Sequence, residues 1–215
     1  VFNDARSYFG KPKEGRDRLK KIIDEWKPSV ILLNYGAEVA LSTGRAWTDE
    51  STVSKRSAGS WDESIAVFLE GYGKMFEEVR KGAGDNLREI VMVAPPPFEN
   101  LGSPLPDHLE NNRRLAKVRD VLQTFAEKRK VHFVDLFGAM GGDKLEKEAS
   151  AEAFTHDGLH FTKIGYRELA SQLALGLGYE AIQSDTLTED LRKGIIEKNR
   201  LFFHRWRPAN ETYLY

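Results

Sequence analysis

The stretch "EIVMVA", Glu89–Ala94, decides the fold. After its first residue it is continuously apolar, with no alternation, which is the pattern of a strand buried on both faces in a parallel sheet. Two further runs share that pattern, "SVILLNY" (29–35) and "VHFVDLF" (131–137). Between them the apolar residues switch to helical spacing. Over 14–26, Leu19, Ile22, Ile23 and Trp26 share one helix face, and this helix should stop before Pro28. A second helix begins near Ser60, an N-cap candidate with Glu63 three residues on, and carries Ile65, Phe68, Leu69, Tyr72, Met75, Phe76 and Val79 on its apolar side. A third, over 109–128, turns Leu115, Val118, Leu122 and Phe125 inward; a fourth covers 163–175 and a fifth 188–203. Strands alternating with helices predict an α/β domain, a parallel sheet with helices on both faces. Two long loops, "LSTGRAWTDESTVSKRSAGS" and "PPPFENLGSPLPDH", follow strand C-termini, where open α/β sheets bind their ligands.

A chain of 215 residues can bury a sizeable core as one domain. We place the α/β domain at 1–180, and at 181–215 a C-terminal helix with an aromatic and basic tail that packs on the domain or on a partner. Lys+Arg 32 against Asp+Glu 33, a formal net charge of -1, supplies no electrostatic attraction to nucleic acid or anionic membrane. The tail residues Phe202, Phe203, His204, Arg205, Trp206 and Arg207 interleave aromatic and basic types, but the run is short and packing of the rings is the simpler reading. The absence of cysteine excludes thiol catalysis, disulfides and zinc–thiolate sites. No apolar run approaches the roughly 20 residues of a membrane span. No Gly-rich phosphate loop follows any of the three apolar runs, so no nucleotide or flavin cofactor is expected. The start "VFNDARSYFGKPKEG" lacks an initiating Met and shows no signal peptide, which leads us to expect a processed or incomplete product.

The chemistry concentrates in "FTHDGLHFTKIGY" (154–166), with His156, Asp157 and His160 ahead of a helical pattern. Asp157 could accept a hydrogen bond from the His160 ring, fix its tautomer and stabilise the imidazolium, leaving His160 free to take a proton from a hydroxyl nucleophile. Read alone, a capped loop with a polar surface histidine is the simpler account of the same residues. A metal site from His156 and His160 needs a helix to put both rings on one face, and Gly158 argues against one. Among the serines, Ser7, Ser42, Ser60 and Ser103 lie in loops, but none sits in a Gly-x-Ser-x-Gly elbow or a Gly-Asp-Ser turn.

The order "LLNYGAEVAL", "VMVAPPPFEN", "FVDLFGAM" and "DGLHFTKIGY" resembles the SGNH (GDSL-type) hydrolase family, and the tail "NRLFFHRWRPANETYLY" resembles its planctomycete-type branch. The likeness covers 1–178 and 195–215. It implies a flavodoxin-like three-layer α/β/α sandwich that hydrolyses esters or removes acetyl groups with Ser, His and usually Asp, without a cofactor. His160 would be the general base, Asp157 its orienting partner, and a small-molecule or carbohydrate ester the substrate. An exported bacterial protein is implied by the likeness alone.

The sequence departs from the family pattern twice. The family's Gly-Asp-Ser block and the glycine of its second block have no counterpart, so serine and glycine are both expected upstream of Val1. The family's Gly-x-Asn block, whose Asn donates to the oxyanion, corresponds here to Gly36-Ala37-Glu38. An ionised Glu38 accepts hydrogen bonds and donates none. Losing one such donor typically costs on the order of 10²–10³ in rate. These departures keep open a non-catalytic carbohydrate-binding or interaction module on the same fold. A first strand is likewise expected from outside the chain as given, since 29–35 would otherwise be an unprotected apolar edge; a preceding segment or a second chain would supply it.

Overall fold

Strand β2 (Glu89–Ala94) stands between β1 (Val30–Leu33) and β3 (His132–Asp135) in a parallel sheet of order β1-β2-β3. This is a computed structural model, and it describes residues 12–41, 61–144, 152–180 and 186–206. From Ile90 to Ala94 every residue of β2 is buried, because β2 alone of the three is paired on both edges and covered on both faces. The register Leu33↔Met92↔Phe133 puts one set of side chains on one face, and Val93↔Val134 puts the alternate set on the other.

On the first face Leu33, Ile90, Met92 and Ala94 pack with Ile23 from α1 (Pro12–Trp26), Val39 and Ala40 from α2 (Ala37–Leu41), Phe68, Tyr72, Met75, Phe76 and Val79 from α3 (Trp61–Ala83), and Leu115, Val118 and Leu122 from α4 (Leu109–Arg129). Each large apolar side chain buried here stabilises the fold by about 1.5–3 kcal/mol. The phenol of Tyr72 is fully buried, which pushes its pKa up, and its hydroxyl donates to the Leu33 carbonyl at 3.4 Å. On the second face Val91, Val93, Val134 and Leu136 meet Leu169, Leu173 and Leu177 along α6 (Lys163–Gly176) and just past its end. The expected α/β/α layering is therefore present. On that second face α6 covers β2 and β3, while Val30 and Leu32 of β1 remain 47% and 43% exposed.

Several expectations need correction. Both flanking strands are shorter than their apolar runs. β1 ends at Leu33, and the chain turns at Gly36, whose φ of 121° is the left-handed region that glycine tolerates. An added Cβ there would meet Val118 at 2.6 Å, so glycine also permits the close approach to α4. β3 ends at Asp135, whose carboxylate accepts from the Gly138 N–H at 2.9 Å and caps the short α5 (Leu136–Ala139). Arg119 binds the other oxygen of that carboxylate at 2.8 Å and Asp143 at 3.1 Å, pinning this corner to α4. Trp26, the last residue of α1, is 63% exposed rather than part of the core. The Ser60 cap, Ser7, Ser42 and the loop over 42–60 lie outside the described residues.

The residues divide into two compact units, Val1–Tyr179 and Glu180–Tyr215. The second holds α7 (Thr186–Trp206), along which Arg192 pairs with Glu189 and Arg200 with Glu197 at 2.7 Å, both i,i+3. Its Leu191, Ile195, Phe202 and Phe203 side chains are exposed. Among the described residues no helix is long and apolar enough to cross a membrane.

Candidate active site

Asp157 and His160 come together in a turn that an antiparallel bridge, Thr155↔Phe161, closes just before the start of α6. The carboxylate does two jobs. Its Oδ1 accepts from the Leu159 and His160 backbone N–H groups at 2.9 and 2.8 Å, which folds the turn around it. Its Oδ2 lies 2.6 Å from Nδ1 of His160. With an ionised acceptor opposite, Nδ1 carries the proton and Nε2 keeps a free lone pair. The His160 side chain is 80% exposed and that of Asp157 42% exposed, so the imidazole stands at an open surface with the Asp157 carboxylate against its Nδ1.

The His160 backbone N–H is the largest cause holding the Asp157 carboxyl well below the usual carboxylate range; the His160 ring and the Leu159 N–H add to it. A folded pKa below the unfolded value of about 3.9 means stability that is present above that pH and lost as pH falls through the folded value. Thermal melts between pH 5 and pH 2 should therefore show wild type losing more stability than Asp157→Asn. Parallel curves for the two proteins would mean that the carboxylate contributes nothing.

The turn is tied to the loop after β2. Gly158, at φ 90°, accepts from the Glu99 N–H at 3.0 Å, and a Cβ on it would lie 2.6 Å from Nε2 of His108 and 2.8 Å from the Glu99 carbonyl oxygen. His108 is 4% exposed and its Nδ1 is 3.1 Å from the Asn111 amide nitrogen. Thr162 caps α6, accepting from the Gly165 N–H at 3.1 Å while its hydroxyl donates to the Phe154 carbonyl at 3.1 Å. His156 donates its backbone N–H to the His160 carbonyl at 2.8 Å. Among the described residues no three His, Asp or Glu side chains converge to hold a metal ion.

Gly36 and Glu38 sit at the carboxyl end of β1, Glu38 in the first turn of α2. Because the sheet is parallel, this end is also where the chain leaves β2 toward Glu99 and β3 toward α5. The turn that holds Asp157 and His160 is joined to that end through Glu99, which the sequence did not single out. A glutamate in a proline-rich loop has no local periodicity to mark it, and its partners are 55 and 56 residues away.

A model of the GDSL-like lipase/acylhydrolase family matches residues 3–168. The chain belongs to that family. No curated protein matches it significantly. Among solved structures, an acetylxylan esterase from Geobacillus stearothermophilus, Axe2, is 17% identical with a TM-score of 0.51, covering 82% of this chain and 72% of that one. An α/β hydrolase from the metagenome of Lake Arreo, Spain, is 14% identical with a TM-score of 0.50, covering 79% and 69%. At these identities the likeness concerns the fold. Three of the matching Axe2 structures are catalytic mutants in which a serine, an aspartate or a histidine is replaced by alanine.

Proposed function

We propose that the protein is a serine-dependent ester hydrolase, an esterase or a carbohydrate O-deacetylase, with His160 as general base and Asp157 as its orienting partner. The observation that carries this reading is the 2.6 Å contact from Asp157 Oδ2 to His160 Nδ1 beneath an exposed ring. Nε2 would accept the proton of a serine hydroxyl as its oxygen attacks the ester carbonyl carbon. The imidazolium, steadied by Asp157, would then return that proton to the departing alkoxide, and a water would repeat the cycle on the acyl-enzyme. In this reading the serine comes from a segment preceding Val1 or from a second chain, presented beside β1, where Val30 and Leu32 are partly exposed and no described strand pairs with the outer edge. The similarity of fold to an acetylxylan esterase favours an acetylated carbohydrate among the ester substrates.

One observation favours a second reading, a non-catalytic carbohydrate-binding or interaction module. Glu38 lies in the first turn of α2, where the family resemblance leads us to expect an oxyanion donor, and a carboxylate there would repel developing negative charge. Labelling of the full-length protein by a fluorophosphonate probe separates the two. The enzyme is expected to label, with labelling dependent on His160. No labelling, together with no turnover of short-chain aryl esters, would establish the second reading.

A further inference from the structure

We infer that Glu99, in the loop after β2, is a positioning residue that grips the turn carrying Asp157 and His160 and sets the aim of the imidazole. The inference rests on the catalytic reading of that pair. One residue holds the entering limb and the apex of the turn. Glu99 Oε1 accepts from the Phe154 N–H at 3.0 Å, and Oε2 accepts from the Thr155 N–H at 2.7 Å and the Thr155 hydroxyl at 2.6 Å. The Thr155 Oγ1 in turn accepts from the Gly158 N–H at 3.0 Å. The Glu99 N–H donates to the Gly158 carbonyl at 3.0 Å, so the apex is held from two sides.

The grip is anchored in the core. The preceding residue, Phe98, exchanges two hydrogen bonds with the side chain of buried Asn112, its N–H donating to Oδ1 at 2.9 Å and its carbonyl accepting from Nδ2 at 2.8 Å. A continuous series of bonds therefore runs from α4 through Phe98 and Glu99 to Thr155 and Gly158. Past Gly158, Leu159 and His160 are already fixed by Asp157. Only a carboxylate suits this place. Three donors converge on two oxygens, and an amide would turn its NH₂ toward one of the donors. Thr155 is 3% exposed, so water cannot readily replace a lost bond there.

The test uses the full-length protein with Glu99→Gln, Thr155→Val and Thr155→Ser, read by amide hydrogen exchange, by the ¹³C titration of the Asp157 carboxyl and by steady-state kinetics on an aryl acetate. Glu99→Gln is expected to lose exchange protection at Thr155 and Gly158 while β2 amides keep theirs. The Asp157 carboxyl should move up toward the ordinary range, and kcat should fall by on the order of 10²-fold with KM within about twofold, the cost of a small misplacement of a catalytic group. Thr155→Val should lose protection at Gly158, and Thr155→Ser should restore wild-type behaviour. Wild-type protection and carboxyl titration in Glu99→Gln would overturn the inference. So would equal loss of protection in β2, which would mark a role in stability alone, or an unchanged kcat in a loosened turn. If wild type hydrolyses no ester, the catalytic reading fails, and the exchange and carboxyl signals still decide whether Glu99 sets the geometry of the pair.

Discussion

His160→Ala in the full-length protein is expected to slow ester hydrolysis by on the order of 10⁴-fold and to leave the melting temperature nearly unchanged. The two effects separate because the ring is 80% exposed: removing it costs little packing, yet deletes the imidazole that we propose as the general base. Asp157→Asn should match it in size for a different reason. The Asn carbonyl can still accept from the Leu159 and His160 N–H groups, so the turn survives. Its NH₂, however, faces Nδ1 and drives the ring proton to Nε2, where the base is needed. Steady-state rates on an aryl acetate, paired with thermal melts, check both variants. Rates within tenfold of wild type for either would show that the pair performs no proton transfer.

Gly165→Ala is the second large effect, and here two principles point in opposite directions. On helix propensity alone, alanine inside α6 should stabilise by up to about 1 kcal/mol. Gly165 is buried, however, and its added methyl would fall far inside contact distance of the Phe154 carbonyl oxygen and 2.8 Å from the Phe161 ring. That carbonyl accepts from the Thr162 N–H at 2.8 Å and from its hydroxyl, so it cannot retreat without breaking the cap of α6. Overpacking of this kind costs about 3 kcal/mol. The steric term wins, and at roughly 2–4 °C per kcal/mol the melting temperature should drop by roughly 6–12 °C. Hydrolysis should fall with it, since Phe154 also donates to Glu99. A melting temperature equal to or above that of wild type would show that the helix and turn can separate without cost.

What the sequence made legible follows from how local each signal is. β2 could be read to its ends because a strand covered on both faces has nowhere to place a polar residue. Its neighbours were overread: the apolar run from Val131 continues through Leu136 and Phe137, but those residues bury themselves from a helical turn that Asp135 caps. α2 and α5 are too short for a 3.6-residue period to show. Asp157 and His160 stand three residues apart, and a turn suffices to join them. Glu99, Thr155, Asn112 and His108 left no such trace, because each is defined by partners that only the packed sheet and α4 bring near.

The contrast between the pair and its grip has a consequence for transplantation. The Asp157–His160 bond and the two backbone bonds to Asp157 are contained within the turn itself. Grafted into an unrelated scaffold, the segment over 155–161 would carry its own hydrogen-bonded imidazole intact. It would leave behind Glu99 and the core behind Phe98, and with them the direction in which the ring points. A donor–acceptor pair is portable in this protein; the bearing of its ring belongs to the whole sheet.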